Sequence, residues 1–349
     1  MKKILLLLIT SLLLASCSKD NSVEPTAPVT SKGIFIVNEG LFSQNNASLT
    51  YYDFETISVY NNVYSGANGG MSLGDNANSM SVINYKGFIA VDNSNKIEII
   101  NLKNFTSLGQ IDLGAGGSPR EIWMKDSTTG YVTSLYTNQV VKFNAINKSV
   151  IKNISVGDKP EGITGAAGKL FVANSGFGTS NSISVIDIAS DAVIKSLTVG
   201  YNPRVIVNGN DGKIYVVCTG SYTDTTVFSG VYKIDPASLT VTDSIKLRGF
   251  PGEACEVKGN KLFIVNSEGV YSINMNFDSA PSLVIPASVV NNLTMVVYSI
   301  AYDKNSETIY CGNPKDFLQN GEVAAFNLSG EEINRFDVGI NPGSIVIFN

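Results

Sequence analysis

The sequence predicts an all-β fold, a seven-bladed β-propeller whose C-terminal strand completes the first blade. Three observations predict it. A short apolar strand carrying an aromatic residue or Ile recurs seven times, a second strand closing in Asp or Asn follows each copy, and one strand is left over at the end of the chain.

The first strands are marked by Phe35, Ile89, Tyr131, Phe171, Tyr215, Phe263 and Tyr310, separated by 54, 42, 40, 44, 48 and 47 residues. That is the period of one four-stranded blade. The second strands end at Asp53, Asn101, Asn144, Asp187, Asp235, Asn274 and Asn327. A short oxygen-bearing side chain there accepts a hydrogen bond from backbone two residues on and starts a tight turn, so these seven groups are structural rather than catalytic.

Third strands such as 150–156 and 193–199 alternate as strands buried on one face do. Pro119, Pro160, Pro203, Pro251 and Pro342 then each open a fourth strand, placed innermost against the channel, where φ is fixed and no donor is needed. The chain enters at Gly33 with no innermost strand before it and leaves through 342–348 with nothing after, so the last strand fills the gap in the first blade. An antiparallel sandwich explains neither the seven units nor the spare strand.

Residues 1–16 read as a signal peptide, with Lys2 and Lys3 before the apolar run Ile4 to Leu14 and Leu14-Ala15-Ser16 as the cleavage site. Leu-Ala-Ser-Cys resembles a bacterial lipobox, which implies lipidation of Cys17; the apolar run is too short to span a bilayer. Residues 17–32, polar and carrying Pro25 and Pro28, form a tether, and 33–349 the propeller. Ser-Lys-Asp after the Cys is similar to surface-export signals of Bacteroidetes lipoproteins. The expected location is the outer membrane, by lipid anchor only, the cell surface being preferred over the periplasmic face.

Of 25 basic and 30 acidic side chains, cleavage removes Lys2 and Lys3, leaving 23 against 30, a balance of −7. Such a surface repels phosphate backbones and excludes nucleic acid as a partner. Cys218, Cys255 and Cys311 lack C-x-x-C spacing and read as buried thiols, with a Cys218–Cys255 bridge as the alternative.

The unit around Leu170-Phe171-Val172-Ala173-Asn174, Asp187, Gly200 and Asn202-Pro203 resembles the YVTN repeat of bacterial surface propellers of the YncE-like kind, and Tyr131-Val132-Thr133 shares its first three letters. The first unit, Phe35-Ile36-Val37-Asn38-Glu39-Gly40 followed by 46–53, looks like the opening of a Bacteroidetes lipoprotein family that includes cobalamin-capturing surface propellers. The resemblance implies a corrinoid ligand and an outer-membrane transporter as partner.

The chain has no His, which excludes a Ser-His-Asp triad, His-ligated metals and His-held haem. Trp123 is the sole Trp, so the Trp-rich blade motifs of quinone-dependent propeller dehydrogenases are absent. No catalytic residue and no resident cofactor or metal is expected. The enzymatic alternative is a calcium-assisted lactonase or lyase, with oxygens from Asp75-Asn76-Ala77-Asn78 and Asp92-Asn93-Ser94-Asn95, although neither has EF-hand spacing. Asp126-Ser127-Thr128, Asp243-Ser244-Ile245 and Asp278-Ser279-Ala280 look like O-glycosylation triplets of exported Bacteroidetes proteins.

Loops entering the innermost strands and loops joining first to second strands share one face. They carry Phe42, Tyr136, Phe177, Tyr201, Tyr222, Phe228, Phe250 and Phe317, an aromatic platform for a ligand. Arg120, Glu121, Glu161, Arg204 and Glu253, just after the prolines, add charge at the inner mouth, with Asn38 and Glu39 as weaker members. The reading is a ligand-binding, non-enzymatic propeller; a protein-interaction scaffold is the competing class.

Overall fold

In the computed structural model the described residues are 32–349 apart from Tyr222, Thr223, Thr225, Arg248, Lys258 and Gly259; for 254–257 only the backbone is described. The signal peptide, Cys17 and the tether up to residue 31 lie outside them.

Seven four-stranded antiparallel sheets follow one another along the chain. Their innermost strands are Pro342–Phe348, Ala77–Ile83, Pro119–Met124, Pro160–Ala166, Pro203–Asn208, Glu253–Val257 and Ser299–Asp303, for blades 1 to 7 in that order. Each contacts the innermost strand of the next blade, and the last touches the first, so the ring is closed around a channel.

The seal is where the leftover strand predicts it. Pro342–Phe348 pairs antiparallel with Gly33–Asn38, Ile34 opposite Ile347 and Val37 opposite Ser344. Blade 1 thus takes its strands from both ends of the chain, and the ring has no open inter-blade edge.

Alternation along the first strands divides the core. Phe35 and Val37 face blade 2 together with Tyr51, Ile89 and Val91, whereas Ile34 and Ile36 face blade 7 with Tyr310, Val323 and Ala325. The same period-2 division recurs around the ring, giving one apolar cluster at each of the seven blade junctions. Blades therefore adhere through packed apolar faces, while hydrogen bonds hold strands within a blade.

The closing Asp and Asn of the second strands do what turn chemistry requires. Oδ1 of Asp53, Asn101, Asn144, Asp187, Asp235, Asn274 and Asn327 each accepts from a backbone N–H two to four residues on.

Three local features distinguish individual blades, and the first departs from the expected pattern. Pro251 lies ahead of its innermost strand, which begins at Glu253, instead of opening it. The innermost strands of blades 2 and 7 have no proline at all. The 54-residue first step is explained by blade 1, whose third strand shrinks to Ser58–Tyr60 and is followed by a short helix, Val63–Ala67. Val63, Tyr64 and Leu73 of this insertion bury themselves against Phe35, Tyr51 and Phe105, covering apolar surface that the short strand leaves bare.

Cys218 is a free, fully buried thiol at the junction of blades 4 and 5, so it is not bridged to Cys255. Burial pushes its pKa well up. Among the described residues no helix is long and apolar enough to cross a membrane.

Candidate functional site

A sharp corner precedes most innermost strands, and it is the corner that builds the site. Asn76, Ser118, Lys159, Asn202 and Asn341, each just before such a strand, have φ of +60°, +34°, +49°, +56° and +55°. Four of them precede a proline; Asn76 makes the same corner without one. Immediately afterwards, in blades 1 to 5, the innermost strand carries one residue more than its partner, as between Pro119 and Ile122 or Pro160 and Ile163. Such a bulge takes a side chain out of the ladder and re-aims it, here into the channel.

The re-aimed residues line a chamber of about 400 Å³ at the end of the channel where the innermost strands begin. Arg120, Glu161, Arg204 and Glu253 all line it, as do Glu121 and Glu39. Asn78 and Tyr298 complete the polar wall. Asn38 does not reach it: fully buried, it donates to Thr50 and Ser48 within blade 1.

Arg120 is the hub. Its Nη1 donates to Asn78 Oδ1 at 2.6 Å and meets Asp92 Oδ2 at 3.3 Å, and its Nε donates to Glu161 Oε2 at 3.0 Å. Burial works against its charge, but Glu161 and Asp92 more than offset this and hold the guanidinium protonated. Glu161 is only 7% exposed and is shared with Arg204 at 3.9 Å. One fork thus ties blades 2, 3 and 4 together at the mouth.

Hydroxyl groups stitch the corners beneath. Ser79, Thr133, Thr219 and Ser299 donate to the carbonyls of Arg120, Glu161, Pro251 and Pro342, each on the next blade, at 2.6 to 2.9 Å. Across the seal, Tyr298 of blade 7 donates to Glu39 Oε2 at 2.7 Å. The chamber is therefore a fixed frame rather than a loose cleft.

Its electrostatics are unbalanced. Four carboxyl groups, Glu39, Glu121, Glu161 and Glu253, line it against two guanidinium groups. Glu121 is exposed to the solvent of the open channel, yet desolvation by the protein crowded around it, reinforced by Glu253, pushes its carboxyl up to about 8. The same desolvation, opposed by Arg204 and reinforced by Glu161, pushes Glu253 up to about 7. Burial raises Glu39 too, against the hydrogen bond from Tyr298. All three shifts run in the same direction, toward the protonated carboxyl.

The expected rings do not line the chamber. They stand in the loops above it, on the same face, because the innermost strands start where the first strands end: Pro160 pairs with Asn174 and Pro203 with Cys218. Phe42, Tyr136, Phe177, Tyr201, Phe228 and Phe250 are exposed. Tyr136 and Phe177 meet edge to face at 6.4 Å, with Lys159 Nζ over both rings at 5.6 and 5.9 Å. Lys246 covers Phe228 at 4.2 Å. Phe317 is half-buried and packs edge-on against Tyr298 at 5.5 Å, which couples it to the chamber wall. Tyr222 lies outside the described residues.

Asp75 and Asp92 spend their oxygens on internal bonds, Asp75 accepting from Ser43 N–H and Asn93, Asp92 from Ser118 and Arg120. Among the described residues no three acidic or Cys side chains converge as a metal site. Asp126 of the first glycosylation triplet accepts from Thr128 and Thr129 and forms a turn.

Tyr298, and the roles of Asn78 and Asp92 as partners of Arg120, are not evident in the sequence. Tyr298 comes just before an innermost strand that no proline marks. The signal available was arithmetic: seven units require such a strand ahead of Ile309.

The family model for DUF5074, a domain of unknown function, matches residues 32–338, nearly the whole ring. The chain belongs to the DUF5074 family. Solved structures similar to it share the propeller fold at low identity. A quinonprotein alcohol dehydrogenase-like protein from Bacteroides thetaiotaomicron is 15% identical, with TM-score 0.69 over 91% of this chain and 79% of that one. A functionally unknown protein from Desulfotomaculum acetoxidans is 14% identical, with TM-score 0.67 over 91% and 99%. Hydrazine synthase from Kuenenia stuttgartiensis is 17% identical, with TM-score 0.63 over 74% and 85%. No curated protein matches the chain.

Proposed function

We propose that this DUF5074 propeller is a non-enzymatic ligand-capturing lipoprotein, held at the outer membrane through Cys17 and presenting its loop face to a small molecule. The observation that carries the reading is the chamber: a hydrogen-bonded cavity with mixed charged and polar groups, open beneath exposed aromatic rings on one face. Frames of this kind orient a ligand through few polar groups while rings cover its apolar surface.

A corrinoid is the proposed ligand, on the strength of the resemblance of the first unit to cobalamin-capturing propellers. Its periphery carries primary amides, which donate to carboxyl oxygens such as those of Glu39, Glu121 and Glu253, and one phosphodiester, which suits Arg204. Being larger than the chamber, it would lie across the rings Phe42, Tyr136, Phe177, Tyr201, Phe250 and Phe317 and insert only side groups. An outer-membrane transporter would receive it. Calorimetric titration of the purified protein with cobalamin tests this. Saturable heat at micromolar concentrations supports the corrinoid; none removes it.

A second reading, a protein-interaction scaffold, is favoured by an apolar patch on the same face. Val289 and Leu293 are exposed at a second cavity of about 470 Å³ between blades 6 and 7, and Met295 and Leu318 are exposed in the neighbouring loops. Pull-down from outer membranes with and without cobalamin separates the two readings.

A further inference from the structure

The geometry points to a subsite on the rim for a flat aromatic ring that carries a negative charge, the ring lying against Phe177 and Tyr136 and the charge meeting the ammonium group of Lys159. This deepens the ligand-capturing reading and rests on it, but it does not depend on the ligand being a corrinoid.

Three segments of two neighbouring blades converge there. Lys159 lies in the corner ahead of Pro160, Tyr136 in the loop between the first and second strands of blade 3, and Phe177 in the same loop of blade 4. Hydrogen bonds lock the corner to both loops. The Lys159 N–H donates to Asn138 Oδ1 at 2.9 Å, and the Lys159 carbonyl accepts from the Ser175 N–H and hydroxyl at 3.0 and 2.9 Å. The Gly176 N–H donates to the Asp158 carbonyl at 3.0 Å. The lysine is thus built in between the two loops whose rings it covers.

The backbone beneath Phe177 is strained, and burial does not offset the strain. Residues 176–178 all have positive φ, of +53°, +50° and +97°. Glycine accepts such values at 176 and 178, but a bulky aromatic residue at 177 does not do so freely. Among the described residues three other phenylalanines, Phe105, Phe277 and Phe317, are also left-handed. Each is held by packing: Phe105 lies in the core between blades 1 and 2, while Phe277 and Phe317 meet Tyr215 and Tyr298 edge-on. Phe177 is 51% exposed, and its one aromatic neighbour, Tyr136, is 61% exposed. Strain kept without a packing gain marks places where a protein holds a group ready for a ligand.

The side chains state the ligand's chemistry. Two exposed rings set edge to face offer flat apolar surface to a third ring. Beside them the Lys159 ammonium has a single carboxylate close by, Asp158 Oδ1 at 3.4 Å, and that side chain is itself half in solvent. An anionic group on the incoming ring takes over or shares the ammonium at small cost, because a pair so exposed is weakly held. A neutral ring satisfies only the aromatic half of the cluster, and a bare anion only the lysine.

The test is calorimetric titration of the purified protein with naphthoate, against naphthalenemethanol, cyclohexanecarboxylate and cobalamin. The expected result is saturable binding of naphthoate at millimolar concentrations or below, with the neutral ring and the ringless anion each weaker by about tenfold. Lys159→Asn, a residue that tolerates the left-handed backbone, removes the preference for naphthoate over naphthalenemethanol. Asp158→Asn frees the ammonium group and tightens naphthoate by about threefold. Phe177→Asn weakens naphthoate by about tenfold and leaves the thermal midpoint unchanged or raised, since it relieves strain and gives up no buried contact. A lowered midpoint in Phe177→Asn makes the ring a packing element and overturns the subsite. So does equal binding of naphthoate and naphthalenemethanol by the unaltered protein, or naphthoate binding that survives both Lys159→Asn and Phe177→Asn. Cobalamin binding without naphthoate binding overturns this inference alone; naphthoate binding without cobalamin binding removes the corrinoid alone.

Discussion

Tyr298 and Glu39 join the last blade to the first, phenol to carboxylate at 2.7 Å, at the wall of the chamber. They are 259 residues apart in sequence. The bond exists only because the C-terminal strand has closed the ring, so it reports on closure and on the site together. Tyr298→Phe removes the donor and keeps the ring's packing against Phe317. The expected loss is about 1.5–3 kcal/mol, as for a hydrogen bond to a charged group, and denaturant unfolding measures it.

Arg120→Met tests the hub. It leaves Asp92 with no guanidinium and Glu161, which is almost without solvent, with only Arg204 at 3.9 Å. Breaking one side of a buried pair costs about 3–5 kcal/mol. A denaturation midpoint close to wild type would show that the fork is ornamental to stability.

The raised carboxyl groups give stability a definite slope with pH. With Glu121 at about 8 and Glu253 at about 7, the folded chain binds more protons than the unfolded chain above the ordinary carboxylate range near 4.5. Stability therefore falls as pH rises from about 5 to about 8. Thermal midpoints across that range should decline, and the double variant Glu121→Gln, Glu253→Gln should flatten the decline.

Cys218 gives a chemical test of packing. With its thiol sealed between blades and held protonated, it should resist iodoacetamide in the native protein and react on unfolding. Mass spectrometry of the peptide carrying Cys218 reads the outcome.

On the rim, Phe177→Ala removes one of two rings that share Lys159. If a corrinoid binds, its affinity should drop by about 1–3 kcal/mol, the scale of an aromatic anchor. Titration of wild type and variant with cobalamin decides it.

The strands of the ring were legible in the sequence because each blade repeats the same alternation, and Asp or Asn closes each second strand for a reason local to three residues. The site was legible where a proline announced the corner: Arg120, Glu161 and Arg204 follow one directly. It was not legible at Asn78 and Tyr298, whose corners carry no proline, nor in the bulges, which depend on how two strands pair. The helix Val63–Ala67 escaped because five residues are too few to show a helical period. The rings gave a half-truth: their face follows from topology, but whether a loop leans over the channel is set by contacts distant in sequence.

Gly33 is the first residue to pair in blade 1, opposite Phe348, and this pairing lies at the far end of the strand from Asn38 and the chamber. Both ends of the ring therefore emerge on its underside. If Cys17 is lipidated as proposed, the stretch from residue 17 to residue 32, which spans at most about 55 Å, joins the ring on the side opposite the chamber and leaves its mouth clear of the attachment point.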